Sequence, residues 1–138
     1  MRRVKTIVSL GIIALVIGLL LGFSFQPGKP VVVVPSSGTM HLIVDFGDGG
    51  IKTWPGIPFV TGATAFSILK DARVPLVYDP STGAGIFVRQ IGDKKNGAGG
   101  GRYWQYWVNA KFAMVAADQY FLHPGDTVEW KFVAEQEM

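Results

Sequence analysis

Cysteine is absent from all 138 residues. That excludes disulfides, thiolate nucleophiles, cysteine-ligated zinc or iron–sulfur centres, and a lipid anchor on a thiol. Charge is scarce as well, with Asp, Glu, Lys and Arg making up 17% of the chain. The formal charge of +3 comes from Arg2, Arg3 and Lys5, because the other basic and acidic residues balance at ten each. Recognition of nucleic acid needs a clustered basic face, and Lys94-Lys95 is only a short pair in a loop. Histidine occurs twice, as His41 and His123, far apart in sequence and with His123 in a Pro-Gly turn. No serine lies in a Gly-x-Ser-x-Gly elbow. An enzyme needs a nucleophile, a base or a metal in mutual reach. This sequence supplies no such set, so the expectation is a non-catalytic protein with no metal and no cofactor of its own.

What the chain has in quantity is apolar residues, at 49%, and much of that excess sits at the amino end. Thr6–Phe25 carries no charge in 20 residues. As a helix it would rise about 1.5 Å per residue, roughly 30 Å, which matches a bilayer core. Residues 1–5 hold the three positive charges, so the positive-inside bias predicts a cytoplasmic tip, a single-pass anchor over 6–25 and an extracytoplasmic carboxyl end. The alternative is a signal peptide cleaved near Gly22-Phe23-Ser24, which would leave a secreted protein. Against cleavage, the run is longer than a usual signal core and lacks Ala-x-Ala. Residues 26–39 hold Pro27, Pro30 and Pro35 and read as an extended tether. Within it Val31 to Val34 has strand character and reads either as a guarded sticky run or as an added edge strand.

The globular domain is expected over 40–138. Met40 to Phe46 alternates as a strand with Leu42, Val44 and Phe46 on one face. Gly47-Asp48-Gly49-Gly50 turns it back into Ile51 to Trp54, ended by Pro55-Gly56. Asp45-Phe46-Gly47 matches a kinase magnesium motif by three letters only, and turn chemistry explains it better. Thr64 to Ala72 is predicted as one helix with Thr64 as its N-cap and Ala65, Phe66, Ile68, Leu69 and Ala72 as its apolar stripe. Gly85 to Ile91 reads as a strand, and Gly92 to Arg102, with five glycines, as a mobile hairpin tip. Tyr103 to Asn109 is the aromatic strand, with Trp104, Tyr106 and Val108 on one face and Tyr103, Gln105 and Trp107 on the other. Asn109-Ala110 turns into Lys111 to Met114. His123 to Asp126 is a turn, and Thr127 to Val133 closes the domain with Val128, Trp130 and Phe132 inward. One helix against one mixed sheet is an α+β arrangement, and this order predicts a β-grasp.

The residues left over for function are rings on the second face of the aromatic strand. Tyr103 and Trp107 can stack on a ligand or partner, with Gln105 and Asn109 giving direction. Core filling is the competing reading for all the rings, and it is stronger for Trp104, Tyr106 and Trp130.

As an ordered set, TAFSILKDA, GIFVRQI, YWQYWVNAKFAMVAADQY and HPGDTVEWKF resemble the transcobalamin-like C-terminal domain family, over about 40–133, nearly all of the soluble part. The resemblance implies a β-grasp fold and an extracytoplasmic setting. In the vitamin B12 carriers of that kind, the domain covers a corrinoid held mainly by a separate helical barrel. These 138 residues contain no such barrel. The chain also departs from the family at Ala110, where glycine usually follows the asparagine. Two functions therefore stand: an anchored module presenting its sheet to a protein partner outside the membrane, or a corrinoid-type small-ligand accessory. A flat apolar face would favour the first and a concave aromatic pocket the second.

Overall fold

The computed structural model describes residues 37–80 and 83–134. Within them the strands are Thr39–Asp45 (β1), Ile51–Pro58 (β2), Leu76–Asp79 (β3), Phe87–Ile91 (β4), Lys94–Lys95 (β5), Arg102–Val108 (β6), Lys111–Phe112 (β7) and Thr127–Ala134 (β8). The helix Ser67–Asp71 (α1) lies between β2 and β3. The domain is mixed α+β. Among the described residues no helix is long and apolar enough to cross a membrane. The apolar run 6–25 and Val31 to Val34 lie outside the described residues.

Two-residue alternation creates the main sheet, ordered β2-β1-β8-β6-β7. β1 and β8 pair in parallel at its centre, and the other neighbours are antiparallel. Met40, Leu42 and Val44 of β1 face the core, as do Val128, Trp130 and Phe132 of β8 and Trp104, Tyr106 and Val108 of β6. Register makes this cooperative, because Leu42 sits beside Val128 and Val44 beside Trp130. A slip of one residue would turn every one of these side chains to the other face. Full burial of an aliphatic side chain of this size stabilises by about 1.5–3 kcal/mol. The rings pack as a group: Tyr106 stacks on Trp130 at 5.0 Å, and Trp104 lies 5.1 Å from Phe132. Their polar ends are paired, with Trp130 Nε1 donating to the Ala65 carbonyl and Trp104 Nε1 to the Lys94 carbonyl.

Four expectations need correction. β2 does not stop at Pro55-Gly56 but continues to Pro58 through a bulge, where Leu42 pairs with Trp54 and Met40 with Ile57. Gly56 takes φ +72 there, and Pro55 is tolerated because β2 is an edge strand. The helix is shorter than predicted. The amides of Ala65 and Phe66 donate to the carbonyls of Tyr120 and Ala117, and Thr64 bridges Phe121, so regular helix begins only at Ser67. Thr64 still caps it: Ser67 N–H donates to Thr64 Oγ1 at 3.0 Å while Thr64 N–H donates to Ser67 Oγ at 2.8 Å. This is a capping box with serine in the returning position. The helix ends when Val74 N–H reaches the Leu69 carbonyl and Arg73 N–H the Lys70 carbonyl, with Arg73 at φ +54 where glycine is usual.

The other two corrections concern a second sheet, ordered β3-β4-β5. β3 is four residues between Pro75 and Pro80, too short to register as a period. It is fixed by pairing with β4 and by Tyr78 packing edge-on to Phe66 at 4.8 Å. β5 arises inside the glycine-rich segment, which is tied down rather than free. Gly92 N–H donates to the Pro75 carbonyl, and the Asn96 amide bridges the Val88 carbonyl and the Trp104 N–H. The glycines supply the left-handed turn at Ala98–Gly101 that leads into β6.

Candidate functional site

The sheet has a second face. Ile43 and Asp45 of β1, Glu129, Lys131 and Val133 of β8, and Tyr103, Gln105 and Trp107 of β6 all point away from the core. None of these side chains is buried. Among the described residues the helix and the small sheet pack on the opposite side, through Ile68, Leu69, Val88 and Ile91.

Strand pairing places the predicted site residues as follows. Tyr103 stands opposite Val133 and is 40% exposed. Gln105 stands opposite Lys131, and Trp107 lies between Glu129 on one side and Phe112 on the other. Phe112 meets Trp107 edge-on at 5.4 Å. Lys131 Nζ sits 4.7 Å from the Trp107 ring centre and 3.6 Å from Glu129 Oε1. An ammonium over an indole face is attracted by the ring quadrupole, so Trp107 is held in place with part of its surface covered. Gln105 Oε1 is enclosed without a hydrogen-bond partner. An enclosed carbonyl of that kind costs about 1–3 kcal/mol.

Asn109 does not join this row. Its side-chain amide donates to Asp126 Oδ1 at 2.8 Å and accepts from Thr127 N–H at 3.0 Å, which clasps the β6–β7 turn to the start of β8. Tyr103, Gln105 and Trp107 are thus brought together, and Asn109 is engaged elsewhere. Sequence reasoning missed Phe112 and Lys131 as members. The signal was available: a two-residue turn at Asn109-Ala110 sets Phe112 opposite Trp107, and alternation along β8 turns Lys131 outward.

The concave features lie elsewhere. An open groove of about 420 Å³ by the β1–β2 turn is lined by Phe46, Asp48, Lys52 and Asp93. Beside it Lys94 Nζ lies 3.0 Å from Asp48 Oδ2. This pair holds the Asp48 carboxyl below the usual carboxylate range and raises the Lys94 ammonium. A groove of about 340 Å³ is lined by Gln105, Phe112 and Met114 among others, and one of about 130 Å³ by Val88, Trp104, Tyr106 and Trp130 among others. Burial, and then the nearby Tyr120 and Asp118, push the Tyr106 phenol up to about 12, and its hydroxyl donates to the Val115 carbonyl at 2.7 Å. Among the described residues no three His, Asp or Glu side chains group to hold a metal ion.

With this arrangement established, comparison with known proteins gives the family. The family model described as "Domain of unknown function (DUF4430)" matches residues 62–134, and the chain belongs to that family. The match begins before α1 and runs to the last residue of β8. No curated protein matches the chain. Among solved structures, a protein from Ruminococcus gnavus ATCC 29149, described as a candidate metal binding protein, superposes with a TM-score of 0.58 at 17% identity. That superposition covers 71% of this chain and 98% of that one. At such identity the likeness is one of fold.

Proposed function

We propose that this chain is a membrane-anchored, extracytoplasmic, non-catalytic binding module of the transcobalamin-like β-grasp kind, and that it presents the outer face of its main sheet to a protein partner. The β-grasp reading is supported by the strand order, with the first and last strands parallel at the centre and a hairpin on each flank. One observation carries the functional reading: the outward row of β1, β6 and β8 has no buried member, although it bears Ile43, Tyr103 and Trp107. An uncovered face with rings on β6 and a Glu129–Lys131 pair on the central strand β8 beside them combines aromatic anchors with charge, as protein interfaces do. The aromatic members are of the residue types that dominate binding energy in such interfaces. The grooves described among residues 37–134 are open and none of them encloses a corrinoid, so the outer face is the better candidate.

The test places a photo-crosslinking amino acid at Tyr103 in the native membrane, with Lys70 on the exposed side of α1 as control. The expected result is one discrete adduct from position 103 and none from position 70. Adduct formation should fall in Trp107→Ala with the melting temperature held. Equal labelling from both positions sinks the reading, and cobinamide binding by the full chain without any adduct would favour the small-ligand role instead. Topology has its own test, because the chain has no native cysteine. A single Lys95→Cys should react with a membrane-impermeant maleimide in intact cells. Reaction only after lysis would refute the extracytoplasmic placement.

A further inference from the structure

Two grooves adjoin the segment 113–117. One, of about 340 Å³, is lined by residues of β6 with Phe112, Ala113, Met114 and Val115. The other, of about 130 Å³, is lined by Val115, Ala116 and Ala117 with residues of β6 and β4 and Trp130. They share Trp104, Tyr106 and Val115. Neither wall contains a charged side chain, whereas the grooves at the β1–β2 turn and at the end of β8 hold Asp48 with Lys52 and Asp45 with Arg102.

The polar groups of the wall rings are already satisfied, which leaves Gln105 of the larger groove as the one side-chain amide facing a ligand there. Trp104 Nε1, Tyr106 Oη and Trp130 Nε1 donate to the carbonyls of Lys94, Val115 and Ala65. The rings therefore present carbon to the grooves. Met114, 88% exposed, and Val115, 49% exposed, stand at the mouth. An unbranched thioether at an opening adapts to varied apolar shapes. The smaller groove matches one aromatic ring in volume, and because it is open, a ligand there keeps one side in water. The segment itself is held by four bonds: Ala113 N–H to the Tyr106 carbonyl, Tyr106 Oη to the Val115 carbonyl, Gln119 N–H to the Ala116 carbonyl and Phe66 N–H to the Ala117 carbonyl.

We infer that the grooves beside the Ala113–Ala117 segment form a binding site for a small uncharged aromatic molecule of one or two rings, at the edge of the outer sheet face, with which the larger groove shares Gln105 and Phe112. A charged group would lose hydration against walls that hold no charged side chain. A ligand of this size, with few contact atoms, binds with a dissociation constant on the order of 1 mM.

The experiment titrates the full chain, kept in solution by detergent, with toluene, indole and benzoate, followed by methyl NMR and referenced to detergent alone. Toluene and indole are expected to move the methyl signals of Met114, Val115 and Ala117 saturably, with benzoate at least about tenfold weaker. Val115→Trp fills the mouth from a half-exposed position and is expected to abolish the shifts. Because that variant can distort the segment, Met114→Glu serves as a second one, placing a charge at an exposed site and weakening toluene binding about tenfold. Absence of saturable shifts, equal binding of benzoate, or shifts that persist in both variants would overturn the site. Crosslinking from Tyr103 is read separately, so failure here leaves the sheet-face proposal standing.

Discussion

Ala110 occupies a position whose backbone calls for glycine. Val108 pairs with Lys111, so Asn109 and Ala110 form a two-residue loop, and both have positive φ, at +49 and +65. That is the pattern of a type I′ turn, which favours Asn-Gly because its twist matches the flanking strands. An L side chain in the left-handed region costs about 1–2 kcal/mol. Glycine relieves that strain but adds unfolded-chain freedom worth roughly 0.5–1 kcal/mol. Ala110→Gly should therefore stabilise the domain by about 0.5–1 kcal/mol. At about 4–8 °C per kcal/mol for a domain of this size, the melting temperature should rise about 2–8 °C. The assay is thermal unfolding of the full chain followed by tryptophan fluorescence. Trp107 reports directly, because it packs on Phe112 across the same hairpin. Ala110→Val is the counter-test and should lower the midpoint, since a β-branched residue is a worse fit at positive φ. A midpoint for Ala110→Gly at or below that of the parent would refute the strained-turn argument.

Three further predictions follow from particular contacts. Gly85→Ala should cost at least about 2 kcal/mol in urea unfolding, because a Cβ there would sit 2.2 Å from that of Ala116 at φ +98; an unchanged midpoint would show that the 116–118 segment yields freely. Gln105→Leu removes the enclosed unpaired carbonyl and should be neutral to about 1 kcal/mol stabilising while weakening crosslinking from Tyr103; a clear loss of stability would mean that the carbonyl has a partner. The Asp48–Lys94 pair should give a pH dependence on both sides. Asp48 is depressed, so its contribution is present above the ordinary aspartate pKa of about 3.9 and lost as pH falls further; Lys94 is raised, so its contribution is present below about 10.4 and lost as pH rises past that value. Lys94→Met should flatten both limbs, and identical pH profiles for parent and variant would exclude the pair as their source.

The strand pattern was legible wherever alternation ran for seven or eight residues. β1, β6 and β8 lie where the periodicity placed them, and β8 turns its predicted face of Val128, Trp130 and Phe132 inward, because one buried face fixes register along the strand. The His123 to Asp126 turn and the Thr64 cap were legible for a local reason: each depends on side chains bonding within three residues, as when Asp126 Oδ2 accepts from His123 N–H. β3 and β5, at four and two residues, have no period to read and exist through their pairing with β4. The glycine-rich segment misled for the same reason. Its composition describes freedom in the unfolded chain, while Asn96 is held by the flanking strands β4 and β6 and Lys94 by Asp48, distant in sequence.

The candidate site divides along the same line. Composition alone excludes thiol chemistry and disulfides, and the spacing of Tyr103, Gln105 and Trp107 puts them on one face. The sequence could not decide which face of β6 the core takes when both carry rings. That choice follows from the parallel β1–β8 pairing, which sets Trp130 beside Val44 and so puts Trp104, Tyr106 and Trp130 in the common core with Ile68 and Leu69 of the helix. Nor could it separate Asn109 from its neighbours, since only folding brings Asp126 and Thr127 within reach of its amide. Local periodicity thus determined what each strand can bury, and long-range pairing decided which rings it did bury and which it left at the surface.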